Sequence, residues 1–232
     1  MSEVVETRAG TSHSNAVVLG AALGFIAGFA DASTFVGADG TFCAHITGNL
    51  VTLAADFSRH PGRDQWLRLA TLPVFVLAAL GAAGLRRRWI KAPVSSSVRT
   101  LLLLNGALFV LVACIALATG ARAKDPGAIR STIVALLVVA MGVQNAIHAF
   151  NPGLGPSTTV MTGNTTRWFV EKVLPSGPDK SAHQQQLGST IAAFVAGCAC
   201  GAFGVVRIGF AVSFVPAIFV FFARTRVRES LR

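Results

Sequence analysis

Long apolar stretches dominate this 232-residue chain, at 16–30, 67–85, 100–119, 131–143 and 187–206. Each comes near the roughly 20 residues that a helix needs to cross a bilayer. Shorter or less apolar runs lie at 41–55, 157–170 and 208–223. Only 13% of residues are charged, against about 25% in a typical soluble domain. The expected fold class is therefore all-α: a polytopic transmembrane helix bundle with six to eight membrane segments.

The formal net charge is +10, which raises the question of a nucleic-acid partner. Its placement argues against one. Arg86, Arg87, Arg88, Lys91 and Arg99 bracket apolar runs, and Arg224, Arg226, Arg228 and Arg232 form the tail. Lys and Arg collect at cytoplasmic span ends, so topology accounts for the excess. The expected partners are the lipid bilayer and a small-molecule or ionic substrate, with no nucleic acid. A homo-oligomer is compatible with this composition.

Within the apolar setting one polar device occurs twice. Thr47-Gly48-Asn49 follows Asp31 by a turn at Gly37–Gly40, and Thr162-Gly163-Asn164 follows Asn145 by a turn at Asn151-Pro152-Gly153. Thr47 lies 16 residues after Asp31, and Thr162 lies 17 after Asn145. Counting 1.5 Å per helical residue puts each tripeptide beside its acid or amide on adjacent legs of a hairpin. Gly and Asn are poor in helix interiors, so the tripeptides are expected to interrupt short helices. Broken segments at matching places in two halves point to a binding site.

The expected organisation follows: 1–14 a disordered cytoplasmic N-terminus, 15–120 and 121–223 two tandem membrane repeats, and 224–232 a basic cytoplasmic tail. Phe75–Gly84 and Phe194–Gly204 are both rich in Gly and Ala and correspond between the halves, and such small residues let helices approach closely in lipid, as in Gly197–Gly201. If the Thr-Gly-Asn segments cross the membrane there are eight spans and parallel halves. If they are re-entrant there are six spans and inverted halves. The distribution of Lys and Arg does not separate the two cases, and both leave the termini in the cytoplasm of a multi-pass inner-membrane protein. A cleaved leader is not expected, because Glu3 and Glu6 outnumber Arg8 in the segment before the first run.

The candidate binding residues are Asp31, His45, Thr47, Asn49, Gln144, Asn145, Thr162 and Asn164. Asp31 stands out because an acid at membrane depth is costly and commonly functional. His45 is its candidate basic partner or proton carrier. The competing structural account is that Thr and Asn bond across helices as glue. His148 and Arg207 read as interfacial residues near span ends. Asp56, Arg59, Arg63 and Asp64 read as loop charges, and the sequon at Asn164-Thr165-Thr166 carries little weight in an apolar run. Cys43, Cys114, Cys198 and Cys200 lie in apolar runs and read as packing residues, so neither disulfides nor a metal is expected. No P-loop, dinucleotide fingerprint or hydrolase signature occurs, so no cofactor and no enzymatic activity are expected.

These motifs together resemble the YoaK-like family of bacterial integral membrane proteins, a family defined as a domain of unknown function. The resemblance rests on Gly28-Phe29-Ala30-Asp31-Ala32 with His45-Ile46-Thr47-Gly48-Asn49-Leu50. It continues through Met141-Gly142-Val143-Gln144-Asn145-Ala146 with Met161-Thr162-Gly163-Asn164. Ile46 departs from the Met expected before the first tripeptide. The resemblance implies an inner-membrane protein and brings no substrate. From the residues themselves, the expected function is a small-molecule permease with a polar site between the repeats. The alternative is a non-transporting scaffold or accessory subunit.

Overall fold

The computed structural model describes residues 2–58, 65–120, 127–151, 154–174 and 178–230. Among them every regular element is helical. In chain order these are α1 (Ser2–Gly37), α2 (Ile46–Phe57), α3 (Gln65–Arg88), α4 (Val94–Thr119), α5 (Ala128–Phe150), α6 (Met161–Val173), α7 (Pro178–Ile208) and α8 (Phe214–Ser230). A 3-10 turn, Gly209–Ser213, joins the last two. Helix α1 starts at Ser2, where the sequence suggests a disordered leader. Once the apolar run has nucleated a helix, each further residue adds one bond for one residue fixed. The basic tail likewise continues α8 as far as Ser230. Arg59, Arg63, Asp64, Pro152, Gly153 and Arg232 lie outside the described residues.

Five stretches are long and apolar enough to cross a membrane: Ser14–Gly37, Trp66–Arg88, Val94–Thr119, Ala128–Phe150 and Ser181–Val227. This is a multi-pass membrane protein. The last stretch has 47 residues, about twice what one crossing needs, and it doubles back at the 3-10 turn. Gly209 breaks the helix there with φ 63°. Helix α8 then runs antiparallel to α1: Gly37 lies against Phe210, Phe25 stacks on Phe219 with ring centroids 4.2 Å apart, and Arg226 bonds Asn15.

Helices α1 and α7, by contrast, run parallel in very close contact. Gly20 and Gly24 face Thr190, Gly28 faces Phe194 and Cys198, and Gly37 faces Val205. A Cβ at Gly28 would land on the Phe194 carbonyl oxygen, and one at Gly197 on that of Phe25. Only glycine lets two backbones approach this far, as at small-residue crossings in membranes. Helix α5 packs on α3 and α4, and α1 and α4 pack on α8. The α1 span is 72% buried and the α3 span only 17%, so α1 is central and α3 peripheral.

The two short helices do not cross the bundle. Asp39, just past α1, bonds Arg130 at the start of α5 through its carboxylate (2.8 Å), and its carbonyl accepts from Arg68 at the start of α3. The end of α1 and the starts of α3 and α5 therefore share one end of the bundle. At the other end, Gln186 near the start of α7 donates to the Ala16 carbonyl, and Arg226 of α8 meets Asn15. Helix α2 thus leaves from and returns to the Asp39 end. Helix α6, between the end of α5 and the start of α7, does the same at the opposite end. At 12 and 13 residues they rise about 18–20 Å, too short for a core of roughly 30 Å.

Candidate functional site

Each short helix is reached by a non-helical lead-in that turns back into the bundle. After α1, Asp39 (φ 48°) and Gly40 (φ 79°) reverse the chain in the left-handed region. Residues 41–45 then return alongside α1 as far as Asp31. Backbone groups off the helical ladder must find other partners at this depth, and two polar side chains supply them. The buried Asp31 carboxylate accepts from the N–H groups of Cys43 (2.9 Å), Ala44 (2.6 Å) and His45 (3.3 Å), and also pairs with His45 Nδ1. Asn49 clamps the lead-in from the other side: Phe42 N–H donates to its Oδ1 (2.7 Å), and its Nδ2 donates to the Phe42 carbonyl (2.8 Å) and to Thr71 Oγ1 (2.8 Å). Gly48 leaves room for the Phe42 ring, which a Cβ would meet at 3.0 Å.

The second lead-in repeats the device with neutral groups. Asn145 Oδ1 accepts from the Thr159 hydroxyl (2.8 Å), and Asn164 Nδ2 donates to the Ser157 carbonyl (2.8 Å). The Asn-to-backbone bond spans seven residues in both halves. Thr-Gly-Asn therefore opens α2 and α6 rather than interrupting them, which corrects the expectation of broken short helices. Its asparagine ties the lead-in to the first turn, and its glycine keeps that turn clear.

Between the two lead-ins lies a cavity of about 610 Å³, within the range of small-molecule sites. His45 and Thr47 from the first half, and Asn145, His148, Ser157 and Thr159 from the second, form its polar wall. Phe75 and Ala79 of α3, with Ala44, Ile46, Ala146, Ala149 and Gly155, form the rest. Among the described residues, none of the wall's side chains is an Asp, Glu, Lys or Arg. Because Asp31 engages His45 Nδ1, the Nε2 of that ring is the nitrogen left for a ligand. A second hollow of about 540 Å³ lies beyond His45, between α1 and α7, and is apolar except for Asp31 and His45.

Of the eight residues singled out by sequence, three line the cavity: His45, Thr47 and Asn145. Asp31 supports His45 from behind. Asn49 and Asn164 are occupied as clamps. Gln144 is fully buried, donating to the Leu23 carbonyl (3.0 Å) and Thr158 (3.3 Å), and so joins α5 to α1. Thr162 is exposed on α6, away from the cavity wall. His148 is not interfacial: it is buried on the cavity wall with neither ring nitrogen bonded. Its signal was available, since it stands three residues past Asn145 and so on the same helix face. Asp56 is not a loop charge either, since it sits in α2 and pairs with Arg68. Cys43, Cys114, Cys198 and Cys200 are free thiols.

The family described as "Protein of unknown function (DUF1275)" matches residues 19–225. No curated protein and no solved structure matches the chain.

Proposed function

The chain belongs to the DUF1275 family, and from its geometry we propose a small-molecule permease whose substrate site is the cavity between two inverted repeats. Reading α1–α4 and α5–α8 as repeats makes the packing two-fold. The α1–α7 contact matches α5–α3, α1–α8 matches α5–α4, and α2–α3 matches α6–α7. The correspondence extends to residues: Gly28 lies on Phe194 and Cys198, and Gly142 lies on Phe75 and Ala79. Equivalent helices run in opposite directions, since α1 ends where α5 begins. Six crossings with two re-entrant helices account for this arrangement. Half-helices starting at matched depths on either side of a central site are a transporter device.

Orientation follows from charge. The end that carries the termini also carries Arg86, Arg87, Arg88 and Lys91, so that end is the cytoplasmic one in an inner membrane. Ala149, on the cavity wall near the end of α5, is exposed. The opposite end carries the Asp39–Arg130 and Arg68–Asp56 pairs, which supports reading the conformation as inward-facing. Ser157 and Thr159 hydroxyls bond each other rather than a histidine, which favours binding over covalent chemistry.

The observation that carries this reading is the cavity walled by both lead-ins. Purified protein in liposomes should take up solutes from a metabolite mixture, and Ala149→Trp, which plugs the cavity mouth, should abolish uptake. Equal uptake by a folded plugged variant would sink the proposal. A scaffold role is the second reading, favoured by the fully occupied bonding of Asn49 and Asn164. It expects no uptake by either protein.

A further inference from the structure

We propose that the cavity takes a small organic monoanion, its carboxylate held between the start of α2 and His148 and its apolar body against Phe75, Ala79 and Ala149. This rests on the cavity being a substrate site. Helix α2 is 12 residues long, and its first residues, Ile46 and Thr47, line the cavity. Gly48 N–H bonds the His45 carbonyl (2.9 Å), which leaves Ile46 and Thr47 as the first-turn N–H groups without an acceptor within the helix. Nor does a side chain cap them, because the N-cap residue His45 is turned toward Asp31. Uncapped N–H groups and the positive end of the helix dipole favour an anion.

His148 points to the same occupant independently. It is 6% exposed, lines the cavity and has both ring nitrogens unbonded. A buried imidazole with one donor and one acceptor unmet is costly, and a ligand carboxylate would accept its N–H. The Asp31 charge lies close by, but it is already engaged by three N–H groups and His45.

The wall also narrows the ligand class. With no Arg or Lys on it among the described residues, it lacks the cationic clamp that commonly holds a phosphate. With no Asp or Glu on it among the described residues, it offers an organic cation no counter-charge. Among the described residues no three metal-ligating groups gather, so a metal ion is not the fit. A weakly hydrated monocarboxylate with an apolar body remains.

Benzoate, benzamide and benzylamine present one shape with three charges. In thermal unfolding of the purified protein, benzoate should stabilise saturably and the other two should not. H148F should weaken benzoate at least tenfold, and Thr47→Val several-fold. Benzamide matching benzoate, or unchanged benzoate affinity in folded H148F, overturns the proposal. If H148F does not fold, the imidazole nitrogen resonances of His148 in the wild-type protein decide: they should move with benzoate, and unmoved resonances at 100 mM overturn it. The two readings fail separately. Benzoate binding without any solute flux refutes transport and keeps the site, whereas flux of other solutes without benzoate binding refutes the ligand class alone.

Discussion

At the end of α1 the returning chain is gathered by a carboxylate, and at the end of α5 the same return is made on a carboxamide and a hydroxyl. The first lead-in spends Asp31 on three backbone N–H groups and a histidine, with Asn49 adding three further bonds. The second has Asn145 with Thr159, and Asn164 with Ser157. Charge-assisted bonds are roughly twice as strong as neutral ones. One geometry can therefore be held tightly on one side and loosely on the other. In the proposed transport cycle the first lead-in would be the fixed bed and the second the part that yields.

Removing the two anchors tests this contrast most severely. Asp31→Ala strands buried N–H groups and His45, and should cost about 3–5 kcal/mol, enough to prevent recovery of folded protein. Asn145→Ala should cost only about 1 kcal/mol, read as a modest fall in the unfolding temperature in detergent. Equal losses would erase the distinction between the halves.

The glycine crossings should rank the same way. An added methyl at Gly28 meets a backbone oxygen of α7, while at Gly142 it meets the Ala78 Cβ at 2.8 Å and the Phe75 oxygen at 2.9 Å. Overpacking of this kind costs about 1–3 kcal/mol. Gly28→Ala is expected at the upper end and Gly142→Ala at the lower, by the same unfolding measurement. The reverse order would make α3–α5 the rigid pair.

The clamps give a smaller contrast. Asn49→Ala loses bonds to Phe42 and Thr71, so amide exchange at residues 42–45 should accelerate more than exchange at 157–160 does in Asn164→Ala. Smallest of all is Asp39→Asn. The Asp39 side chain is 60% exposed, so overall stability should hardly change. A cysteine reporter at Thr47, in a background without the native cysteines, should nonetheless become several-fold more reactive from the Asp39 side. Unchanged reactivity would remove Asp39 from the closure of that end.

Much of this was legible in the residues. Apolar run lengths predict the long helices, and the doubled spacing from Asp31 and Asn145 to Thr-Gly-Asn locates both lead-ins. The hairpin count does not reveal that the return leg, residues 41–45, is non-helical. No periodicity marks that, because Asp31 and Asn49 satisfy the backbone from a distance. The choice between six and eight crossings was hidden because Lys and Arg divide similarly in both cases. The proposed six crossings rest instead on Asp39 joining the starts of α3 and α5. For His148, proximity to a span end suggests the interface, whereas the structure buries it on the cavity wall.

The parallel contact of α1 with α7 also bears on how the chain is made. Helix α1 finds its glycine-lined bed in α7, well separated from it along the chain, while α5 takes the matching place beside α3. Neither half can bury its central helix without the other. A chain cut between the halves should therefore yield two fragments that are degraded when expressed singly and recovered when produced together.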